Sequence, residues 1–269
     1  MSKTHRPSLR AAALLAPLLA LTASGHGADP PAGIRPEDKR SGYHFQSRET
    51  QAMQDDDVAN PGTLWVLEGE TLWRQAAGPG GTSCARCHQD AAVSMKGVAT
   101  RFPAFDAAAG RVLNLEQRIN RCRTDRQKAP AFAYESKELL ALTAYVAHQS
   151  RGMPVQVMID GPARPFFVAG RDFFFARQGQ LNLACNHCHE DHWGGQLRGD
   201  RLSQGYGNAY PIYRLEWQTV GSLHRRLRSG SIGVRAEPYP YGAQEYVNLE
   251  LFLAWRARGL PIETPGVRR

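Results

Sequence analysis

Apolar residues recur with helical spacing near the end of each half of this chain. Leu139, Leu142, Thr143 and Val146 stand at i, i+3, i+4 and i+7, the spacing of one helix face. Tyr246, Leu249 and Phe252 recur at three-residue steps with Trp255 following, which predicts a second amphipathic helix. Gly152 and Gly259 lie where a left-handed C-cap belongs, and Pro154 and Pro261 prevent continuation. A third helix is predicted after Pro61, where Leu64, Trp65, Val66 and Leu67 are followed about two turns later by Leu72 and Trp73. Core packing is the preferred role for all these stripes.

Other stretches lack such periodicity. Residues 26–60 hold Pro30, Pro31, Pro36 and many charges, and read as an extended N-terminal arm. Residues 155 to about 165 carry Gly161, Pro162 and Pro165 and read as a linker. Ala11 to Leu21 is apolar but too short to span a bilayer, and it follows Lys3, Arg6 and Arg10. Small residues come next at Ala23, Ser24 and Gly25, so residues 1–25 read as a signal peptide cleaved near Gly25 or Ala28. No other long apolar run follows, and the mature protein is expected to be soluble, periplasmic and without a membrane span.

The halves match when laid together. Gly69 to Arg74 corresponds to Gly170 to Arg177; Arg101 to Phe105 corresponds to Ala209 to Tyr213, each an aromatic-Pro-x-aromatic turn. Leu115 to Cys122 corresponds to Leu223 to Gly230, and Glu138 to Pro154 to Glu245 to Pro261. The chain reads as a duplication of one unit, with domains at 61–157 and 158–269. The expected fold is mostly α: two tandem cytochrome c-like domains behind the arm.

The cytochrome reading rests on two motifs. Cys84-Ala85-Arg86-Cys87-His88 and Cys185-Asn186-His187-Cys188-His189 both have the spacing of a c-type haem attachment site. The thiols bond to the haem vinyl groups and the histidine ligates iron. Four thiolates on one zinc would need an unusually long loop between the pairs. A redox dithiol would leave both following histidines unexplained. Two covalently bound haem c groups are therefore expected, on Cys84, Cys87, Cys185 and Cys188, with His88 and His189 on the iron. Export agrees, since such haem is attached outside the cytoplasm.

Composition adds two points. With 269 residues, 42% of them hydrophobic, the chain can bury a core large enough for two domains. The net charge of +8 suits steering of anionic substrates or acidic partner proteins; an exported haem protein has little reason to meet nucleic acid. Of five cysteines, Cys122 alone is left over. Arg118, Arg121, Arg123 and Arg126 surround it in sequence and would favour its thiolate, making it the preferred distal ligand of the first haem over Met95 and Met153. Its counterpart in the second half is Gly230, which has no side chain. His224, His192, water or nothing remain for the second iron.

Taken together, these stretches resemble the SoxA family, the dihaem c-type cytochromes of the SoxAX complex in bacterial thiosulfate oxidation. The resemblance runs over nearly all of the mature chain, through Arg121 to Arg123, Ser150 to Pro154, Tyr210 to Trp217 and Arg235 to Pro238. It implies an L-cysteine S-thiosulfotransferase that works with a small monohaem cytochrome, SoxX. That enzyme joins thiosulfate oxidatively to a cysteine of a sulfur-carrier protein, and electrons leave through haem to an accepting cytochrome. The resemblance further implies His88 and Cys122 as axial ligands of the first haem and His189 as proximal ligand of the second. Arg226 falls at the family's substrate-contacting arginine, and a guanidinium suits a small dianion; Arg225, Arg228 and Arg235 would deepen that pocket. The family's catalytic cysteine, a persulfide-bearing ligand of the second haem, falls at Gly230. An electron-transfer-only dihaem cytochrome, or a dihaem peroxidase or oxidase with an open second haem, are the alternatives.

Overall fold

The computed structural model of this protein describes residues 33–269 together with Met1 and Ser2; the expected signal peptide and the first residues of the arm lie outside the described residues. The described part of the arm makes two 3-10 turns, Pro36–Asp38 and Gly42–Phe45, and then helix α1, Arg48–Asp55. Ser47 starts that helix by accepting from the Thr50 amide. The arm is thus partly helical and not simply extended. It is held at both ends of its course: the Arg40 amide donates to the side-chain oxygen of Gln204 at 2.7 Å, and Gln54 accepts from the Val267 amide at 2.9 Å.

The first half follows with α2 (Thr63–Arg74), α3 (Cys84–His88), α4 (Ala91–Ser94), the hairpin β1 (Ala104–Asp106) and β2 (Arg111–Leu113), α5 (Leu115–Asp125) and α6 (Lys137–His148). The second half has α7 (Arg164–Phe175), α8 (Cys185–His189), a two-residue hairpin of β3 (Gln196–Leu197) and β4 (Asp200–Arg201), β5 (Ile212–Arg214) and β6 (Thr219–Gly221). It ends with α9 (Leu223–Gly233), α10 (Gln244–Arg256) and β7 (Gly266–Arg268). Strand β5 pairs antiparallel with β6 and parallel with β7. These three small sheets are secondary to the helices.

Helix α2 packs on α6, and α7 on α10. Each crossing is close because a glycine meets a backbone carbonyl. A Cβ at Gly69 would lie 2.1 Å from the Ala141 oxygen, and one at Gly170 only 1.9 Å from the Asn248 oxygen, so any side chain there would force the helices apart. Helix α6 is buried over the whole of Leu139 to Ala147 and is not amphipathic. Its second covering layer is the β5–β6 pair, since Leu140 packs with Tyr213 and Val220. Around α10 the second core gathers Phe167, Phe174, Phe252 and Trp255.

Where the halves meet, their hydrogen bonds are reciprocal. The Gly152 amide donates to the Ile262 oxygen at 2.9 Å and the Gly259 amide to the Val155 oxygen at 3.1 Å. The Ile262 amide donates to the Met153 oxygen, and that of Val155 to the Leu260 oxygen, both at 2.9 Å. Every donor and acceptor on one side has its sequence-matched counterpart on the other, the pattern of a two-fold contact. Gly152 and Gly259 both have positive φ, 81° and 88°. The stretch expected as a linker takes part in this junction: Val155, Val157 and Ile159 are buried while Gln156 and Met158 face outward, so it is an extended segment seated in the core.

Candidate haem sites

Helix α3 begins where the Ser83 hydroxyl accepts from the Arg86 amide at 3.1 Å. Cys84 is half-buried, whereas Cys87 and His88 are exposed on its outer side. The Trp73 ring lies 5.7 Å from that of His88 and is fixed by its own Nε1–H, which donates to the Gln89 oxygen at 3.0 Å. Burial pushes the Cys84 thiol up, and a thiolate at Cys122 pushes it the same way, which puts the leftover cysteine of α5 beside the attachment helix. Met95 packs into the first core, and Met153 packs its methyl end on Gly97. Cys122 is thus close enough to Cys84 to act on its charge, and Met95 packs against the same cluster as Cys84. Three of the four arginines expected to polarise Cys122 have other partners: Arg118 and Arg121 reach Asp106 at 3.3 and 2.5 Å, and Arg123 donates to the Pro130 oxygen at 2.6 Å.

At α8 the histidine is held more tightly. His189 Nδ1 is 2.7 Å from the Ser203 carbonyl oxygen; a carbonyl only accepts, so Nδ1 carries the hydrogen and Nε2 keeps its lone pair. Burial lowers the His189 pKa to about 4, opposed by that hydrogen bond and assisted by Arg226 and Arg256. The imidazole is therefore neutral, the form that ligates iron. Gly205 has φ +74°, and a Cβ there would come within 2.9 Å of His189 Cγ, so the backbone itself cradles the ring. Next in sequence, Glu190 pairs with Arg256 at 3.2 Å. Arg256 is almost wholly buried, over the Phe174 ring at 4.4 Å, and also donates to the Gln204 oxygen at 3.0 Å.

Helix α9 presents the remaining predicted residues. Gly230 is exposed, and a Cβ there would meet nothing within 4 Å. Arg226, one turn earlier, is exposed and near enough to His189 and Tyr210 to act on both electrostatically. Arg225 lies over Trp217 at 4.4 Å and Arg228 over Tyr241 at 4.7 Å. Arg226 and Arg235 have no ion-pair partner among the described residues. His224 points the other way, into the interior: it is 1% exposed, stacks on Tyr134 at 5.4 Å and accepts from the Gly242 amide at 3.1 Å. It is not available to an iron at α8. His192 is exposed, with Nδ1 2.5 Å from the His187 oxygen.

These groups suit a c-type haem on chemical grounds: paired thiols one helical turn apart, an imidazole with a free Nε2, and apolar side chains left bare nearby. Val93, 78% exposed, lies beyond α3, and Ile232, 61% exposed, lies on α9. Motif spacing does not single out Ser203 and Gly205; a small-residue stretch some fourteen positions after the motif is the only local signal of them.

A Cys-x-x-Cys-His helix set in a mostly α body defines a c-type cytochrome, and residues 68–155 match the family model for the SoxA/TsdA cytochrome c domain. The chain is 41% identical to the L-cysteine S-thiosulfotransferase subunit SoxA of Pseudaminobacter salicylatoxidans, over 85% of this chain and 80% of that one. With the same subunit of Paracoccus pantotrophus it is 36% identical over 85% of this chain and 78% of the other. The crystal structure of SoxXA from P. pantotrophus superposes with a TM-score of 0.82, covering 85% of this chain and 86% of that one. The chain belongs to the SoxA family.

Proposed function

We propose that this chain is the dihaem component of a thiosulfate-oxidising cytochrome complex, built from two cytochrome c-like units at 61–157 and 158–269. The reciprocal hydrogen bonds around Pro154 and Pro261, and the matched glycine crossings at Gly69 and Gly170, support the tandem reading. Cys84 and Cys87 hold one haem with His88 and Cys122 as axial ligands; Cys185 and Cys188 hold the other with His189. When bound, haem supplies one-electron acceptors. The name of the relatives, L-cysteine S-thiosulfotransferase subunit SoxA, supports the reaction class. A small monohaem cytochrome, SoxX, is the expected partner, as in the SoxXA structure, and the protein is expected in the periplasm. No described helix is long and apolar enough to cross a membrane.

The residues divide the work as follows. Arg226 offers forked donors to thiosulfate beside His189, with no competing carboxylate. A carrier-protein cysteine supplies the sulfur to be joined. As the sulfur–sulfur bond forms, two electrons leave through haem to an accepting cytochrome and the thiol proton goes to solvent. His189 stays neutral and fixed by Ser203. Position 230 supplies no sulfur, and no backbone group replaces a thiolate. That single feature favours a second reading, a cytochrome that keeps electron transfer and has lost transferase chemistry.

The observation that carries the proposal is α8, with His189 locked by Ser203 and close enough to Arg226 to feel its charge, while Gly230 stands open one turn beyond Arg226 on α9. Its test is the thiosulfate-dependent mass gain of a carrier cysteine, with the native chain and with Gly230→Cys. The helical backbone and empty surroundings of Gly230 accept the new side chain without displacement. Gain with Gly230→Cys and little with the native chain is expected. Equal turnover by both would remove any role for position 230, and turnover by neither would leave electron transfer alone.

A further inference from the structure

A cavity of about 60 Å³ lies where the halves meet. Much of its wall comes from matched positions, such as Phe102 with Tyr210 and Ala147 with Ala254. The match breaks at charged groups. Thr143 of α6 corresponds to Glu250 of α10, and Glu116 of α5 corresponds to His224 of α9. Both carboxylates line the cavity, and so does Asn208, whose side-chain oxygen is buried without a donor. At roughly 10–15 Å³ per water the space holds a few water molecules, and its polar wall suits them.

The charges around the carboxyl pair are unbalanced. Glu250 accepts from Asn114 Nδ2 at 3.1 Å and lies 3.4 Å from His224 Nε2. Glu135, before α6, adds a third negative group, and Tyr134 donates to Asn114 at 3.0 Å. The nearest cations are committed: Arg111 donates to Gln244 at 2.8 Å, and Arg225 stands 3.9 Å from Glu135. Burial, then the Glu250 charge, push the Glu116 carboxyl up to about 8, against the amide of its own helix turn. The Glu116 carboxyl, buried beside Glu250, therefore favours its protonated form at neutral pH.

We propose that this cavity is a proton-binding site, in which Glu116 holds a proton beside Glu250 and the cavity water and binds it more tightly when the cytochrome is reduced. The proposal rests on the haem reading above. Glu116 and Cys122 stand on one helix, about 9 Å apart along its axis, through protein that salt does not screen. An electron taken up by a haem held at Cys122 would add negative charge close to the same helix and would raise the proton affinity of Glu116. The step balances as one electron from a reductant and one proton from solvent, released together on oxidation.

Spectroelectrochemical titration of the haem-loaded full chain from about pH 6 to pH 9 tests this. The midpoint of at least one haem should fall as pH rises, levelling above the pH at which Glu116 loses its proton. Glu116→Gln or Glu250→Gln should flatten that slope, whereas Glu245→Gln, exposed on the same helix α10, should leave it intact. Asn114→Ser keeps the helix cap but removes the donor to Glu250, and should move the sloping window to higher pH even if the glutamine variants do not fold. A pH-independent midpoint in the native chain, an unaltered slope in Glu116→Gln, or an unmoved window in Asn114→Ser would overturn the proposal. Absence of haem in a denatured haemochrome spectrum would instead overturn the reading beneath it.

Discussion

Gly205→Ala asks how tightly the α8 histidine is held. Two costs are expected. The backbone at 205 has φ +74°, and an alanine in that region pays about 1–2 kcal/mol. The new Cβ would also sit 2.9 Å from His189 Cγ and 3.1 Å from Nδ1. The ring must move by a few tenths of an ångström, loosening its 2.7 Å bond to Ser203, worth about 0.5–1.5 kcal/mol. Gly194→Ala isolates the first cost, because Gly194 has φ +82° and an added Cβ meets nothing within 4 Å. Urea unfolding of both haem-loaded variants should place Gly205→Ala about 1 kcal/mol below Gly194→Ala, and only the former should perturb the low-spin haem spectrum. If the two variants are equally stable and spectrally alike, the glycine does not cradle the histidine.

Gly170→Ala should destabilise by about 1–3 kcal/mol despite its better helix propensity, because α7 and α10 must separate; a thermal midpoint at or above the native one would refute the crossing. Cys122→Met should abolish the thiolate-type signal in paramagnetic resonance, and its persistence would assign the ligand elsewhere. Arg256→Met strands the Glu190 carboxylate and should cost about 3–5 kcal/mol in urea, with Glu190→Gln in the same chain recovering part of it; no recovery would mean the pair is not what Arg256 stabilises. Glu116 holds its proton more tightly folded than unfolded, so its contribution is fully present below the unfolded carboxyl range and lost as pH rises towards about 8. Native stability should fall across that window and Glu116→Gln should not follow it.

What could be read from sequence was local. The two attachment helices, the helix after Pro61 and the closing helices all follow from spacing over a few residues, and the structure has them as α2, α3, α6, α8 and α10. Two local signals were present but outweighed by prolines and charge: Ser47 as the cap of α1, and the period-two alternation of Val155, Val157 and Ile159. Helix α6 shows an apolar stripe, yet it is buried on all sides because a distant sheet supplies the second cover. The polar junction had no local pattern at all. Nothing local to Glu116 or His224 marks them as neighbours of one site, and their partners Glu250 and Tyr134 lie far along the chain. His224 as an iron ligand failed for that reason: distance in sequence to Gly230 says nothing about which face of α9 turns inward.

The reciprocal hydrogen bonds between the halves are those of a dimer written into one polypeptide. In a true homodimer every substitution occurs twice, and a change that suits one copy is imposed on the other. Here each copy is encoded separately, so a sulfur can persist at 122 while 230 is emptied, and Thr143 can stay neutral opposite an ionisable Glu250. Covalent joining fixes the pairing and at the same time frees the two copies to drift apart in chemistry while their backbones continue to fit.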